Sequence, residues 1–194
     1  MDPKSFIRTL ATAERLKDTF RHSYTSNGRR ESVAEHVWRL TFMALLLEKD
    51  FPDVDMNKVI KMCILHDMGE AFTGDIPAFD KTDLDAAEEA AYVSAWLRTL
   101  PGETADSFGV LFDEMEEMET NEARLYKALD KLEALIQHNE ADIETWLPLE
   151  YDLQLTYGND ECVFDPRVEA IRAQVREDSV RKIEEKQNEQ KENG

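Results

Sequence analysis

Apolar residues recur every three or four positions through most of this chain, and that spacing constrains the fold more than any other feature. Val33, Val37, Leu40, Ala44 and Leu47 form one such stripe; Leu125, Leu129, Leu132, Leu135 and Ile136 form another. The period is that of a helix with one face turned to a core. Only 7 Gly and 6 Pro occur in 194 residues, too few for the turns of a β-sandwich or barrel. With 42% apolar residues and the length of one domain, the expected fold class is all-α, a single bundle of about six to eight helices.

The pattern predicts a first helix over about Pro3 to Lys17, with Ile7, Leu10, Ala11, Ala13 and Leu16 on its apolar side. The polar stretch Asp18 to Glu31, with Asn27-Gly28, reads as a loop. Ser32 with Glu35 makes a capping box for the next helix, which Pro52 stops. Further helices are expected over about Asp55 to Phe72, Thr82 to Leu100, Glu103 to Met118, and from Thr120 or Asn121 through Ile136. Between Trp146 and Phe164 the alternation of Tyr151, Leu153, Leu155 and Tyr157 leaves strand, helix and irregular structure open. A last helix follows Pro166, with Val168, Ile171, Val175 and Val180 apolar. The domain is expected over 1–183, with 184–194 as a charged, frayed or disordered tail.

The net charge is −19, from 42 acidic and 23 basic residues. Nucleic acids and anionic membranes are held by Lys and Arg, so neither a nucleic-acid polymer nor a membrane is an expected partner. A small phosphate compound remains open, because one metal ion and an arginine reverse the field locally. Cys63 and Cys162 make neither a disulfide framework nor a cysteine-based zinc site. No basic-then-apolar leader opens the sequence. The longest apolar run, Phe42 to Leu47, falls far short of the roughly 20 residues that span a bilayer. A cytoplasmic protein is expected.

The chemistry-bearing residues lie on three of these helices. The strongest local signal among the four histidines is His66-Asp67-x-x-Glu70, a polar face in an otherwise apolar stretch. Adjacent helical residues differ by about 100° in direction, so His66 and Asp67 can both reach one metal beside the helix. His36 lies next to the apolar stripe of its helix, and Asp130 sits between Leu129 and Leu132. Three helices offering ligands at their buried edges is a way bundles build metal sites. The alternatives are a hydrogen-bonded core histidine for His36 and an ion pair with Lys127 or Lys131 for Asp130.

The ordered set His36, His66-Asp67, Asp130 resembles the H…HD…D signature of the HD-domain metal-dependent phosphohydrolases. The flanking segments Glu31-Ser-Val-Ala-Glu-His36, His66-Asp-Met-Gly-Glu70, Thr73-Gly-Asp75-Ile-Pro77 and Ala128-Leu-Asp130-Lys-Leu are similar to the 5′-nucleotidase-like branch, which acts on (deoxy)nucleoside monophosphates. The likeness spans roughly Arg15 to Glu140. It implies an HD-type helical bundle whose metal ligands are His36, His66, Asp67 and Asp130. Glu70 and Asp75 match acids that orient the attacking water and serve proton transfer at the leaving oxygen. Arg21 matches an arginine on the substrate phosphate. Some members carry tryptophan at the next position, associated with preference for deoxyribose; here it is His22, a departure that bears on sugar discrimination.

Such a set suits phosphate-ester hydrolysis, which needs charge neutralisation, an activated water and a protonated leaving group. One divalent metal ion (Mn, Co, Fe, Ni or Zn) is expected, because mixed nitrogen and oxygen ligands tolerate each of these. A second site would call on His138, which lies about 12 Å along the helix from Asp130, and His138 reads as a surface or outer residue. The expected partner is a small-molecule nucleotide substrate, with a homodimer, implied by the resemblance, that the last helix would serve. The competing readings are an HD-type hydrolase of another phosphorylated small molecule, and a non-catalytic helical interaction protein displaying the acidic face Asp113–Glu119.

Overall fold

The computed structural model describes residues 2–192. It is all-α apart from one two-stranded ladder, as the apolar spacing requires. Chain contacts divide it into two compact units, one of Met1–His22 and Glu31–Tyr126, the other of Ser23–Arg30 and Lys127–Gly194. Among the described residues no helix is long and apolar enough to cross a membrane.

The first unit opens with α1 (Pro3–Glu14), capped by Asp2, whose carboxylate accepts from the Lys4 and Ser5 amides. Phe6, Ile7 and Leu10 of α1 are exposed; of the apolar side expected there, Leu16 alone is buried. The predicted loop from Asp18 to Glu31 contains two strands, β1 (Phe20–Tyr24) and β2 (Arg30–Ser32). A tight turn joins them, with the Thr25 amide donating to the Arg29 carbonyl at 2.8 Å and Gly28 at φ +79°. Their polar composition concealed a pairing that backbone hydrogen bonds satisfy.

Ser32 and Glu35 form the expected capping box at the start of α2 (Val33–Leu47). α2 packs on α3 (Met56–Leu65), and α3 on α6 (Gly102–Glu117). Val33, Leu40 and Ala44 bury on one side of α2, and Val59, Met62 and Cys63 bury on α3. Trp96, Leu111 and Met115 are buried on α5 (Asp83–Leu97) and α6. Trp38 is 67% exposed and stacks on Phe42 across one turn of α2. The expected helix over Asp55 to Phe72 is broken. α3 ends at Leu65, a turn covers 66–69, and a short α4 (Glu70–Thr73) follows, with α5 packed on it. Within the turn the amide bonds tighten to i→i−3, Met68 to Leu65 and Glu70 to Asp67, and Gly69 is a weak helix former.

α7 (Asn121–Glu140) begins in the first unit and continues in the second. The second unit adds α8 (Glu150–Thr156), α9 (Asn159–Cys162) and α10 (Pro166–Glu192), so the alternating stretch Tyr151 to Tyr157 is helical. Val168 and Val175 of α10 bury where that helix packs on α8 and α9. Buried Arg172 donates to the Tyr157 and Gln154 carbonyls at 3.0 and 3.1 Å. Val168 and Val175 of the apolar stripe expected on α10 therefore pack inside its own unit, while Ile171 and Val180 are half-buried. The helix runs on past residue 184, where the sequence reading places a frayed tail. Lys182 holds the Asn139 and Ala141 carbonyls, and Lys186 pairs with Glu144, which ties that stretch down.

Candidate metal and phosphate site

His36 is the fourth residue of α2, placed there by the capping box at Ser32 and fully buried. His66 is the C-cap of α3, and Asp67 follows it in the turn. Burying two imidazoles and a carboxylate together is costly unless something satisfies them. Their ligand atoms converge: one nitrogen from each histidine and one Asp67 oxygen all lie within 4.8 Å of one another. His66 Nε2 stands 3.1 Å from Asp67 Oδ1, and His36 Nε2 stands 3.7 Å from Oδ2.

The tautomer of His66 follows from its other nitrogen. Nδ1 lies 2.9 Å from the Cys63 carbonyl, which only accepts, so Nδ1 carries the proton and Nε2 presents its lone pair to the cluster. Tyr126 flanks the ring at 5.6 Å. Two imidazole nitrogens and a carboxylate, with one imidazole fixed by an outer hydrogen bond, fit a divalent cation.

Arg21 comes from β1. Its Nε lies 3.3 Å from buried Glu31, and its Nη1 lies 3.9 Å from Asp67 Oδ2. Glu31 thus steers the guanidinium toward the cluster. The burial of Glu31 is not legible in the sequence, because an acid at the start of a helix-capping segment carries no mark of burial. His22, next to Arg21, meets Phe79 edge-on at 5.7 Å, and its backbone amide hydrogen-bonds the Asp75 carboxyl.

Glu70 opens α4 and is buried, and its Oε2 has no hydrogen-bond partner among the described residues. Burial, then the negative charges of Asp67 and Asp75, push its carboxyl up to about 10, against the pull of Arg21 and His66. Asp75 follows Gly74, whose φ of +79° and ψ of 167° suit glycine alone and turn the chain back after α4. Burial also raises the Asp75 carboxyl, which Arg21 opposes. The structure thus brings His36, His66 and Asp67 together, with Arg21 beside them and two acids, Glu70 and Asp75, whose carboxyls burial raises.

Asp130 lies on α7 in the second unit. There Lys127 Nζ donates to its Oδ2 at 3.1 Å and Lys131 Nζ stands 3.7 Å away, the ion pairing foreseen as its alternative. His138 is no surface residue: it is buried, 3.1 Å from Glu150 and tilted against Trp146 at 5.3 Å.

Residues 13–172 match the family model for the HD domain. The chain belongs to the HD-domain family. A 5′-deoxynucleotidase of Dictyostelium discoideum is 34% identical over 147 residues, 70% of this chain and 77% of that protein. One from Schizosaccharomyces pombe is 30% identical over 141 residues, 69% of this chain and 70% of that protein. Among solved structures, one described as a predicted metal-dependent phosphohydrolase from Magnetospirillum magnetotacticum superimposes with a TM-score of 0.80 at 26% identity. That likeness covers 92% of this chain and 93% of the other. The HD-domain assignment and the all-α bundle expected from the sequence agree with these likenesses.

Proposed function

We propose that this HD-domain chain is a metal-dependent phosphomonoesterase that removes the 5′-phosphate of (deoxy)nucleoside monophosphates, releasing nucleoside and inorganic phosphate. The observation that carries the reading is the convergence of His36, His66 and Asp67 within 4.8 Å, with His66 Nδ1 already committed to a carbonyl. The 5′-deoxynucleotidases it resembles supply the substrate class.

His36, His66 and Asp67 would hold the metal, with Asp130 as fourth ligand on the strength of the sequence motif. The chemistry a divalent ion (Mn, Co, Fe, Ni or Zn) supplies when bound there is polarisation of the phosphoryl oxygens and a more acidic water. Arg21, steered by Glu31, binds and orients the phosphate. Asp75 orients the attacking water. As the water oxygen bonds to phosphorus, the bond from phosphorus to O5′ breaks. Glu70, which burial keeps protonated near neutral pH, gives its proton to O5′ of the departing nucleoside. The surplus proton of the attacking water later leaves the phosphate formed to restore Glu70. Cys63 and Cys162, both buried and neither in a disulfide, suit a reducing cytoplasm. The homodimer implied by the resemblance would call on apolar surface such as the exposed Phe6, Ile7 and Leu10 of α1.

The test is phosphate release from ribo- and deoxyribonucleoside mono-, di- and triphosphates, with metal-stripped protein reloaded with each metal. Release from monophosphates that needs metal and disappears in Asp67→Ala is the expected result. Full turnover by Asp67→Ala, or release from di- and triphosphates alone, would overturn the proposal.

A further inference from the structure

Gly69 sits between Asp67 and Glu70 and has no room for a side chain. A Cβ there would stand 2.3 Å from Glu89 Cγ and 2.9 Å from its Oε1. Glu89, on α5, therefore lies directly against the turn that carries His66 and Asp67. Its other oxygen, Oε2, is 2.5 Å from Lys81 Nζ. A turn in which the Asp80 and Lys81 amides both donate to the Pro77 carbonyl brings Lys81 there, six residues after Asp75. The Lys81 side chain is about one-third exposed, so its ammonium group is anchored at one end and open at the other.

Burial alone would lower this lysine. The hydrogen bond and charge of Glu89, followed by the carboxylates of Glu70 and Asp67, hold it above its ordinary value instead. Lys81 is thus within the field of the site while fully charged. The site needs such a cation. A phosphate monoester brings close to two negative charges beside the carboxylate of Asp67, and Arg21 is already engaged by Glu31 and Asp67. A lysine on a flexible stem, paired with a carboxylate it can leave, is suited to meet an arriving anion.

We propose that Lys81 is a second phosphate-binding residue beside Arg21, held by Glu89 at the rim of the site and transferred from that carboxylate to the phosphate of the bound substrate. The inference rests on the phosphomonoesterase reading for the identity of the substrate, and on the geometry at Gly69 for the position of the lysine. Glu89 is a positioning residue: it keeps the ammonium group over the turn when no phosphate is present.

The experiment is calorimetric titration of inorganic phosphate into the metal-loaded full chain, alongside KM for a nucleoside monophosphate. Lys81→Ala should weaken phosphate binding and raise KM, each about tenfold, the size of one charge-assisted contact. Lys81→Arg should recover both to within about threefold, because it restores a cation on a long stem. Glu89→Gln removes the competing carboxylate and should tighten phosphate binding when Lys81 is present but not in a Lys81→Gln background, which separates release of the lysine from loss of a nearby negative charge. Melting curves of each variant separate these effects from misfolding, and Glu89→Gln decides the matter if Lys81→Ala does not fold. Phosphate bound equally well with and without Lys81, or not bound at all by the unaltered chain, would overturn the proposal. No nucleotide turnover, with phosphate binding still dependent on Lys81, would instead tell against the phosphomonoesterase reading and leave the anion site standing.

Discussion

Replacing Glu70 by glutamine in the metal-free protein tests the electrostatic account of the site most directly. The folded protein holds the Glu70 carboxyl up to about 10, against an ordinary value of 4.5. A carboxyl raised in the folded state binds a proton there that the unfolded chain gives up, so stability falls as pH rises above 4.5. At pH 7.5 the interval is three pH units at about 1.4 kcal/mol each, a ceiling of about 4 kcal/mol. Glutamine keeps the volume and the neutral state, so that penalty disappears. The variant should be more stable by about 2–4 kcal/mol at pH 7.5, roughly 5–15 °C in Tm for a chain of this size. At pH 4.5 to 5 the advantage should shrink to nearly nothing. The assay is urea unfolding in a chelator at both pH values, and a stability difference that does not change with pH would refute the reasoning. The same substitution in the metal-loaded enzyme should lower kcat by about 10²–10⁴-fold, because the amide has no proton to give.

Four further substitutions probe other parts of the account. Arg21→Lys should lower kcat/KM by about 10–100-fold, because one ammonium group cannot face Glu31 and a phosphate as the guanidinium fork does; steady-state kinetics read it. His22→Trp should shift the ratio of deoxyribo- to ribonucleotide turnover by about three- to tenfold, as expected for reshaping one wall of a pocket, and an unchanged ratio would remove His22 from sugar recognition. Ser32→Ala should cost about 1 kcal/mol by uncapping α2, read as a shift in the urea midpoint. Gly158→Ala should cost about 1–3 kcal/mol, because the residue has φ +73° and its added Cβ would stand 2.9 Å from Lys131 Cβ; thermal unfolding checks it.

The helices were legible wherever a local signal agreed with burial. The stripe Val33, Leu40, Ala44 is buried, and the capping box at Ser32 starts α2 where the sequence places it. What escaped were features decided by distant partners. The pair β1 and β2 reads as polar loop because backbone bonds, and not apolar alternation, hold it. The helix through His66 reads as continuous to Phe72 because nothing local marks the 66–69 turn except Gly69, whose cause is Glu89 twenty residues later. Among the site residues, His36, His66 and Asp67 were legible as polar residues on apolar faces. Glu31, Lys81 and Glu89 were not, since a surface ion pair and one next to a metal cluster look alike in a sequence.

The acidic character of the chain and an anionic substrate are reconciled at the level of single groups. Of the acids around the cluster, Glu31 is neutralised by Arg21 and Glu89 by Lys81. Burial opposes ionisation of Glu70 and Asp75, so both are biased toward their uncharged forms. That leaves Asp67, which faces two imidazoles and suits a cation more than it repels an anion. A formal count of carboxylates therefore overstates the negative field a phosphate meets. The pairing has a second consequence. Each cation at the site is paired with an acid outside the set His36, His66 and Asp67, so Arg21 and Lys81 have partners in the absence of substrate. The same acids also set how readily each cation can leave. Glu31 is buried and keeps its arginine fixed, whereas the pair of Glu89 and Lys81 is open to water and can exchange. Under the proposed reading, the fixed arginine orients a phosphate and the exchangeable lysine captures it.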